Sequence, residues 1–263
     1  MIELFGLRAG YPGKTILHDL SLTFPSGELT VIAGPNGCGK STLLKTICGI
    51  LPPTAGEVRL DGVPFPALPH PARQIAYLPQ HRPTPDITAL RLVLHGRFPY
   101  LSFPRRYGKR DMELARAALE RMGLSGAADT PVAALSGGMR QKVYLAMILA
   151  QDTPLVLLDE PTTYLDPAHQ LQTMAHARAL CADGKTVVMV LHDLPLALRQ
   201  ADRVAVLDGG RAACTGTPEE VFQSGLLDRV FGLSVRRVMT PGGWQYYYEA
   251  GQGGALLPRG HVL

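Results

Sequence analysis

The eight residues Gly34-Pro35-Asn36-Gly37-Cys38-Gly39-Lys40-Ser41 constrain the fold more than any other part of this chain. They follow an apolar run, Leu29 to Ala33, that reads as a strand, and lead into Ser41 to Gly49, which reads as a helix closed off by Pro52-Pro53. A glycine, four residues and then Gly-Lys-Ser, set between a strand and a helix, is the pattern of a phosphate loop. The glycines let consecutive backbone N–H groups curl around an anion, and the helix adds its unpaired N–H groups and positive dipole end. Lys40 is expected to neutralise β- and γ-phosphate charge, and Ser41 to offer its hydroxyl to Mg²⁺. Gly34, Pro35, Asn36, Gly37, Cys38, Gly39, Lys40, Ser41 and Thr42 are the candidate nucleotide contacts. A thiol beside a helix N-terminus can be activated, but we read Cys38 as a small loop residue.

The remaining pattern predicts an α/β protein around this loop. Leu155 to Leu158 and Thr186 to Leu191 are unbroken apolar runs, the appearance of parallel strands buried on both faces. They end in Asp159-Glu160 and His192-Asp193, and ligands of open α/β sheets sit beyond the carboxyl ends of the strands, so both pairs are expected to face one crevice. Ile2 to Leu7, Leu20 to Phe24 and Glu57 to Leu60, the last before an Asp61-Gly62 turn, predict an antiparallel β flank. Ile75 to Leu78 reads as another strand, followed by a stretch rich in proline, arginine and aromatics from Pro79 to Tyr107. Met112, Ala115, Leu119 and Met122 then recur at helical spacing, and Arg140 to Gln151 reads as a further helix. The expected organisation is a nucleotide-binding core with its β flank over 1–81 and 151–224, a helical insertion over 82–150, and an extension over 225–263. That extension carries an aromatic cluster, Trp244 to Tyr248, and its order is not evident from the pattern.

Composition narrows the setting. With 46% hydrophobic and 18% charged residues over 263 positions the chain is globular, and no uninterrupted apolar run reaches the ~18 residues of a membrane span. Glu3 and Arg8 fall where a secretory leader would need its apolar core, which predicts a cytoplasmic protein. Cys38, Cys48, Cys181 and Cys214 lack metal-type spacing and suit reduced thiols. A net charge of +4 is compatible with an acidic membrane surface or a phosphate ligand and demands neither.

Two adjacent acids at the end of an apolar strand are costly unless a cation or a proton-transfer task compensates. A magnesium-bearing nucleotide supplies both. Asp159 is the candidate metal-binding acid and Glu160 the candidate base for the attacking water. His192, ending the next apolar run, is placed to bridge the γ-phosphate and that water. None of the eight histidines forms a metal-ligand cluster with cysteines or acids.

A second anion site is visible in Leu135-Ser136-Gly137-Gly138-Met139-Arg140-Gln141, a serine and two glycines ahead of a helix. Taken together, these motifs resemble the nucleotide-binding subunit of ATP-binding cassette (ABC) transporters. GPNGCGKST looks like the Walker A motif, LSGGMRQ the signature and LVLLDEPT the Walker B motif. Gln80 matches the Q-loop, Tyr11 the adenine-stacking aromatic, Thr163-Tyr164-Leu165-Asp166 the D-loop and His192 the switch histidine. The resemblance runs from about Ile2 to Phe222 and implies a RecA-like phosphate-loop NTPase core that binds ATP and Mg²⁺. It adds Gln80 to the metal set of Ser41 and Asp159, and Ser136, Gly137, Gly138, Gln141 and Asp166 to the nucleotide contacts. It also implies a head-to-tail dimer in which one subunit's signature loop closes on the other's ATP. Permease subunits in the membrane, a substrate-binding protein acting through them, and a peripheral position on the cytoplasmic face of the inner membrane follow from it. Met139 stands where the family often has Gln or Glu, and Tyr164 where it often has a small residue.

Gly96-Arg97-Phe98-Pro99-Tyr100, Thr162 to Asp166 followed by Ala168-His169-Gln170, and His192-Asp193-Leu194 are similar to importers of iron–siderophore, haem and vitamin B12 complexes. Molybdate-type importers and non-transport cassettes of translation or DNA repair are the alternatives. A phosphate-loop kinase or GTPase would leave LSGGMRQ without a role. Arg105, Arg106, Lys109 and Arg110 alternate with Phe98, Tyr100, Phe103 and Tyr107, a mixture that also suits single-stranded nucleic acid. We expect no nucleic-acid partner, and read this stretch as solvated surface or as a docking face for a membrane subunit.

Overall fold

A computed structural model describes residues 1–163 and 165–249; Tyr164 and the glycine-containing tail from 250 onward lie outside the described residues. The chain opens with a long hairpin, β1 (Ile2–Tyr11) and β2 (Lys14–Phe24), and then enters β3 (Leu29–Ala33), the phosphate loop and α1 (Lys40–Ile47). β4 (Ala55–Leu60) and the short β5 (Val63–Pro64) complete an antiparallel sheet of order β2-β1-β4-β5. The expected flank is present, with its first hairpin longer than the alternation alone indicated. Bulges between Leu4 and Gly10 interrupt that alternation, so the pattern loses its period while the pairing continues.

A one-turn helix α2 (Pro71–Gln74) leads into β6 (Ile75–Leu78). The segment after it folds as α3 (Ala89–Leu94), α4 (Lys109–Arg121) and α5 (Gly137–Gln151), joined by short stretches of 3₁₀ helix. β7 (Leu155–Asp159), α6 (Pro167–Ala182), β8 (Thr186–Val190), α7 (Leu194–Gln200), β9 (Arg203–Asp208) and β10 (Arg211–Gly216) follow. β6, β7, β8, β3 and β9 run parallel in a sheet of order β10-β9-β3-β8-β7-β6, and β10 closes its edge antiparallel to β9. β7 and β8 are buried at every position, as their unbroken apolar runs predict.

Because strand side chains alternate between faces, each central strand feeds two cores. Ile32, Leu157, Val188 and Val190 point toward α1 and the antiparallel sheet, where they meet Leu4, Phe24, Leu43 and Ile47. Val31, Val156, Leu158, Val187 and Met189 point the other way and join Leu90, Leu119, Val143, Met174 and Ala197. The helical segment has no separate core, since its apolar faces merge with this second cluster.

Beyond Gly216 come α8 (Pro218–Gln223), α9 (Leu226–Phe231) and a hairpin of β11 (Ser234–Thr240) and β12 (Gly243–Glu249). The extension whose order the pattern left open is thus regular to Glu249. Its anchors are tertiary. The Arg237 guanidinium lies 4.0 Å from the Trp244 ring centre and 4.6 Å from that of Phe222, pairs with Glu219, and sits beside Tyr246, which packs edge-on against Phe222.

Candidate active site

The phosphate loop is shaped by contacts that exclude side chains. A Cβ on Gly34 (φ +152°) would lie 2.2 Å from the Leu207 carbonyl oxygen, and one on Gly39 (φ +106°) would lie 2.8 Å from Leu17. The loop is therefore clamped between β9 and the β2 hairpin, and only glycine fits there. Gly37 (φ +79°) faces open space. Lys40, 6% exposed, donates from Nζ to the Gly34 and Pro35 carbonyls at 2.8 and 2.9 Å, which holds its ammonium inside the curl of the loop. Cys38 is buried, and that burial pushes its thiol pKa up despite Lys40 nearby; this favours the inert reading.

The strand-end acids converge on this loop. Asp159, 2% exposed, accepts from Ser41 Oγ at 3.0 Å and from the Tyr77 hydroxyl at 3.2 Å. Burial raises its pKa, while those two hydrogen bonds work against the rise. The Tyr77 phenol is raised as well, by burial first and then by the Asp159 charge. A buried carboxylate beside a hydroxyl, with no cationic side chain bonded to it, is an all-oxygen donor set that fits Mg²⁺. No group of three His, Cys, Asp or Glu able to cage a metal exists among the described residues, and Mg²⁺ is commonly held by few protein ligands plus phosphate.

Glu160 is 6% exposed and adopts φ +50°, a left-handed conformation uncommon for a non-glycine residue and of the strained kind that gathers at functional sites. Its carboxylate is held by three groups: His192 Nε2 at 2.5 Å on one oxygen, and Gln80 Nε2 and Thr163 Oγ1 on the other, the latter at 3.2 Å. Lys14, Ile16, Asn36, Lys40, Glu160 and His192 are among the residues lining a cleft of ≈ 520 Å³ whose floor is the phosphate loop. Gln80 lines it too, and its amide nitrogen donates to Glu160. Tyr11 ends β1 at the hairpin turn, 46% exposed, and its hydroxyl accepts from Lys45 Nζ at 3.5 Å.

One expectation is corrected. Asp193 does not face the crevice; it caps α7, accepting from Leu196 N at 2.9 Å, because the first turn of that helix leaves its N–H groups unpaired. Gln141 is 8% exposed and donates to the Pro161 carbonyl at 2.7 Å, which ties α5 to the loop after β7, and it lines the same cavity as Gly137. The basic–aromatic stretch is also less free than it reads. Arg97 is buried, pairs with Asp111 at 3.1 Å, donates to the Ala150 carbonyl and stacks on Tyr100. Arg105 stacks on Phe98, leaving Phe103 as the outstanding exposed ring.

The signature loop stands apart from this cleft. Ser136 caps α5 by accepting from Met139 N at 3.3 Å, and the helix begins at Gly137, inside the signature and ahead of the expected start at Arg140. Ser136, Gly137 and Gly138 do not line the phosphate-loop cleft; Gly137 lines a neighbouring cavity of ≈ 340 Å³ with Arg82, Arg140 and Thr163. Asp166 caps α6 and binds the His169 ring. The motif reading did not include Tyr77, Thr163, Lys14 and Ile16 among the site residues. Tyr77, on β6, sits three positions before Gln80, a spacing from which a strand-end role is readable; Thr163 enters only as part of the D-loop, and Lys14 and Ile16 carry no local signal.

Residues 17–163 match the family model described as ABC transporter. The achromobactin transport ATP-binding protein CbrD of Dickeya dadantii is 43% identical over 239 residues, 89% of this chain and 89% of that protein. This chain belongs to the ABC transporter family. It is of the ATP-binding, ATP-hydrolysing subunit type. The ferric enterobactin transport ATP-binding protein FepC of Escherichia coli is 41% identical, over 89% of this chain and 88% of its own. Among solved structures, an inward-facing transporter described as of the metal-chelate type superposes with a TM-score of 0.83 at 25% identity, covering 96% of this chain and 98% of that one. A dimeric bacterial ABC transporter cassette gives 0.73 at 31% identity, over 83% and 99%. No helix among the described residues is long and apolar enough to cross a membrane.

Proposed function

We propose that this cassette hydrolyses ATP to drive uptake of a metal chelate of the ferric siderophore, haem or cobalamin class, working as a head-to-tail dimer beneath permease subunits. The observation that carries the ATPase part is the clustering of Glu160, His192, Gln80 and the Ser41–Asp159 pair around one phosphate loop. Glu160, fixed by three partners, takes the proton of the attacking water as ADP and phosphate separate. His192 holds the same carboxylate and is positioned to share that water. Lys40 and the loop amides hold phosphate charge, and Ser41 with Asp159 would hold Mg²⁺, which would supply positive charge against the phosphates. Asn36, Gly37, Gly39 and Thr42 line the cleft, and the exposed Tyr11 face is offered to the adenine.

The dimer reading rests on the signature loop lying outside its own chain's nucleotide cleft, so that Ser136 and Gly137 have a phosphate to meet only on a second copy. Asp166 then lies at the shared interface. The cargo class rests on relatives named for siderophore and haem transport that align with most of this chain, which favours it over molybdate. A peripheral place on the cytoplasmic face of the membrane and an indirect link to a substrate-binding protein belong to the same proposal. Cells carrying only a Glu160→Gln copy, assayed for uptake of labelled ferric siderophores, haem, cobalamin and molybdate, test it. Loss of one chelate supports the reading; normal uptake of all three chelates with loss of molybdate uptake turns it to the rival.

A further inference from the structure

The signature carries two adjacent glycines whose surroundings differ. A Cβ on Gly137 would meet nothing within 4 Å, whereas one on Gly138 would lie 3.2 Å from Nε2 and 3.3 Å from Cδ2 of His169. Neither residue has a left-handed φ, so backbone conformation does not require glycine at either position. Both sit in the first turn of a 15-residue helix.

His169 is not free to withdraw. Its Nδ1 lies 2.7 Å from Asp166 Oδ2, its backbone N–H donates to Asp166 Oδ1 at 2.9 Å, and its carbonyl accepts from Thr173 Oγ1 at 2.9 Å. An ionised carboxylate only accepts, so Nδ1 carries the proton and the Nε2 edge of the ring is turned to Gly138. The other end of this contact chain reaches the catalytic acid. Gln170 donates to the Leu165 carbonyl, Leu165 N to the Thr162 carbonyl, and Thr163 Oγ1 to Glu160.

We propose that His169, locked by Asp166, is a positioning residue that seats the signature loop at Gly138 and joins it to the segment carrying Glu160. This rests on the shared-site dimer described above. In that dimer the brace connects the acid serving one ATP to the loop serving the other. A side chain at 138 would press on the ring beside it, and one at 137 would take up the clearance a second copy's nucleotide needs.

The test measures ATP-dependent dimerisation by analytical ultracentrifugation in full-length protein carrying Glu160→Gln. Nucleotide affinity of the monomer and thermal unfolding are measured alongside. Gly138→Ala is expected to weaken dimerisation at least about tenfold, and adding His169→Asn, which keeps a donor for Asp166 while vacating the ring's space, to recover at least about threefold of that loss. His169→Ala on the Gly138→Ala protein should recover a similar share. His169→Asn should give no recovery to Gly137→Ala, which has no neighbour to relieve. Additive losses at Gly138 and His169, or equal recovery at both glycines, overturn the brace. Absence of ATP-dependent pairing in the Glu160→Gln protein itself removes the shared-site reading and this inference with it.

Discussion

The phosphate-loop cleft and the signature loop both lead into helix N-termini, yet they are built in opposite ways. In the cleft the buried charged groups have partners within the chain: Lys40 on two carbonyls, Asp159 on Ser41 and Tyr77, Glu160 on His192, Gln80 and Thr163. At the signature, Ser136 and Gly137 are exposed, and what holds them lies beneath, in the Gln141–Pro161 tie and the His169 ring. On the proposed reading, one is a nearly finished binding site and the other is half of one. A carboxylate at the end of a buried strand must be paired or desolvated at a cost, whereas a serine and two glycines on a surface turn can wait in water for their ligand.

That contrast predicts unequal responses to substitution. The largest is at Glu160. Glu160→Gln should retain ATP binding and lose on the order of 10²–10⁴-fold in turnover, read by single-turnover hydrolysis; turnover near wild type would remove Glu160 from the base role. Ser136→Arg comes next. It should abolish ATP-dependent dimerisation, a weakening of at least about tenfold by bulk at a closing surface, while monomer nucleotide affinity holds within about twofold. A parallel fall in monomer affinity would erase the distinction between the two regions.

Asp159→Asn sharpens the comparison from the stability side. Burial raises the Asp159 pKa in the folded chain, so the ionised carboxylate destabilises the nucleotide-free protein above its folded pKa, and the cost disappears as pH falls below the unfolded value. The variant should melt higher than wild type by a few degrees near pH 7 in scanning calorimetry, converge with it in acid, and lose Mg²⁺-dependent ATP affinity. A variant that melts lower at pH 7 would show that the Ser41 and Tyr77 bonds outweigh the burial cost. Cys38→Ser should change least, with ATPase activity within about twofold, because a buried thiol with a raised pKa contributes volume rather than a thiolate.

The site was readable where chemistry follows strand ends and helix starts. The phosphate loop, Asp159-Glu160, His192 and Ser136 all sit at such junctions, and the cleft gathers the first three groups while Ser136 caps its helix. Reading failed where a side chain had two possible employers. Asp193 follows His192 at a strand end but also precedes Leu194-Pro195, and the helix that starts there took it as a cap. Gln141 belongs to the signature by sequence and to Pro161 by contact. Residues 225–249 gave no period because Arg237 and Tyr246 are held by partners on other elements, and local spacing carries no trace of those.

By itself the sequence determined the α/β class, the phosphate loop and the acids behind it, because each depends on residue types at fixed spacing along one strand or one turn. Only the tertiary structure decided which of two neighbouring glycines is braced, which glutamine is committed inward, and that the last hairpin packs at all. Those outcomes depend on atoms brought within 3 or 4 Å from distant parts of the chain, and no local pattern encodes such a distance.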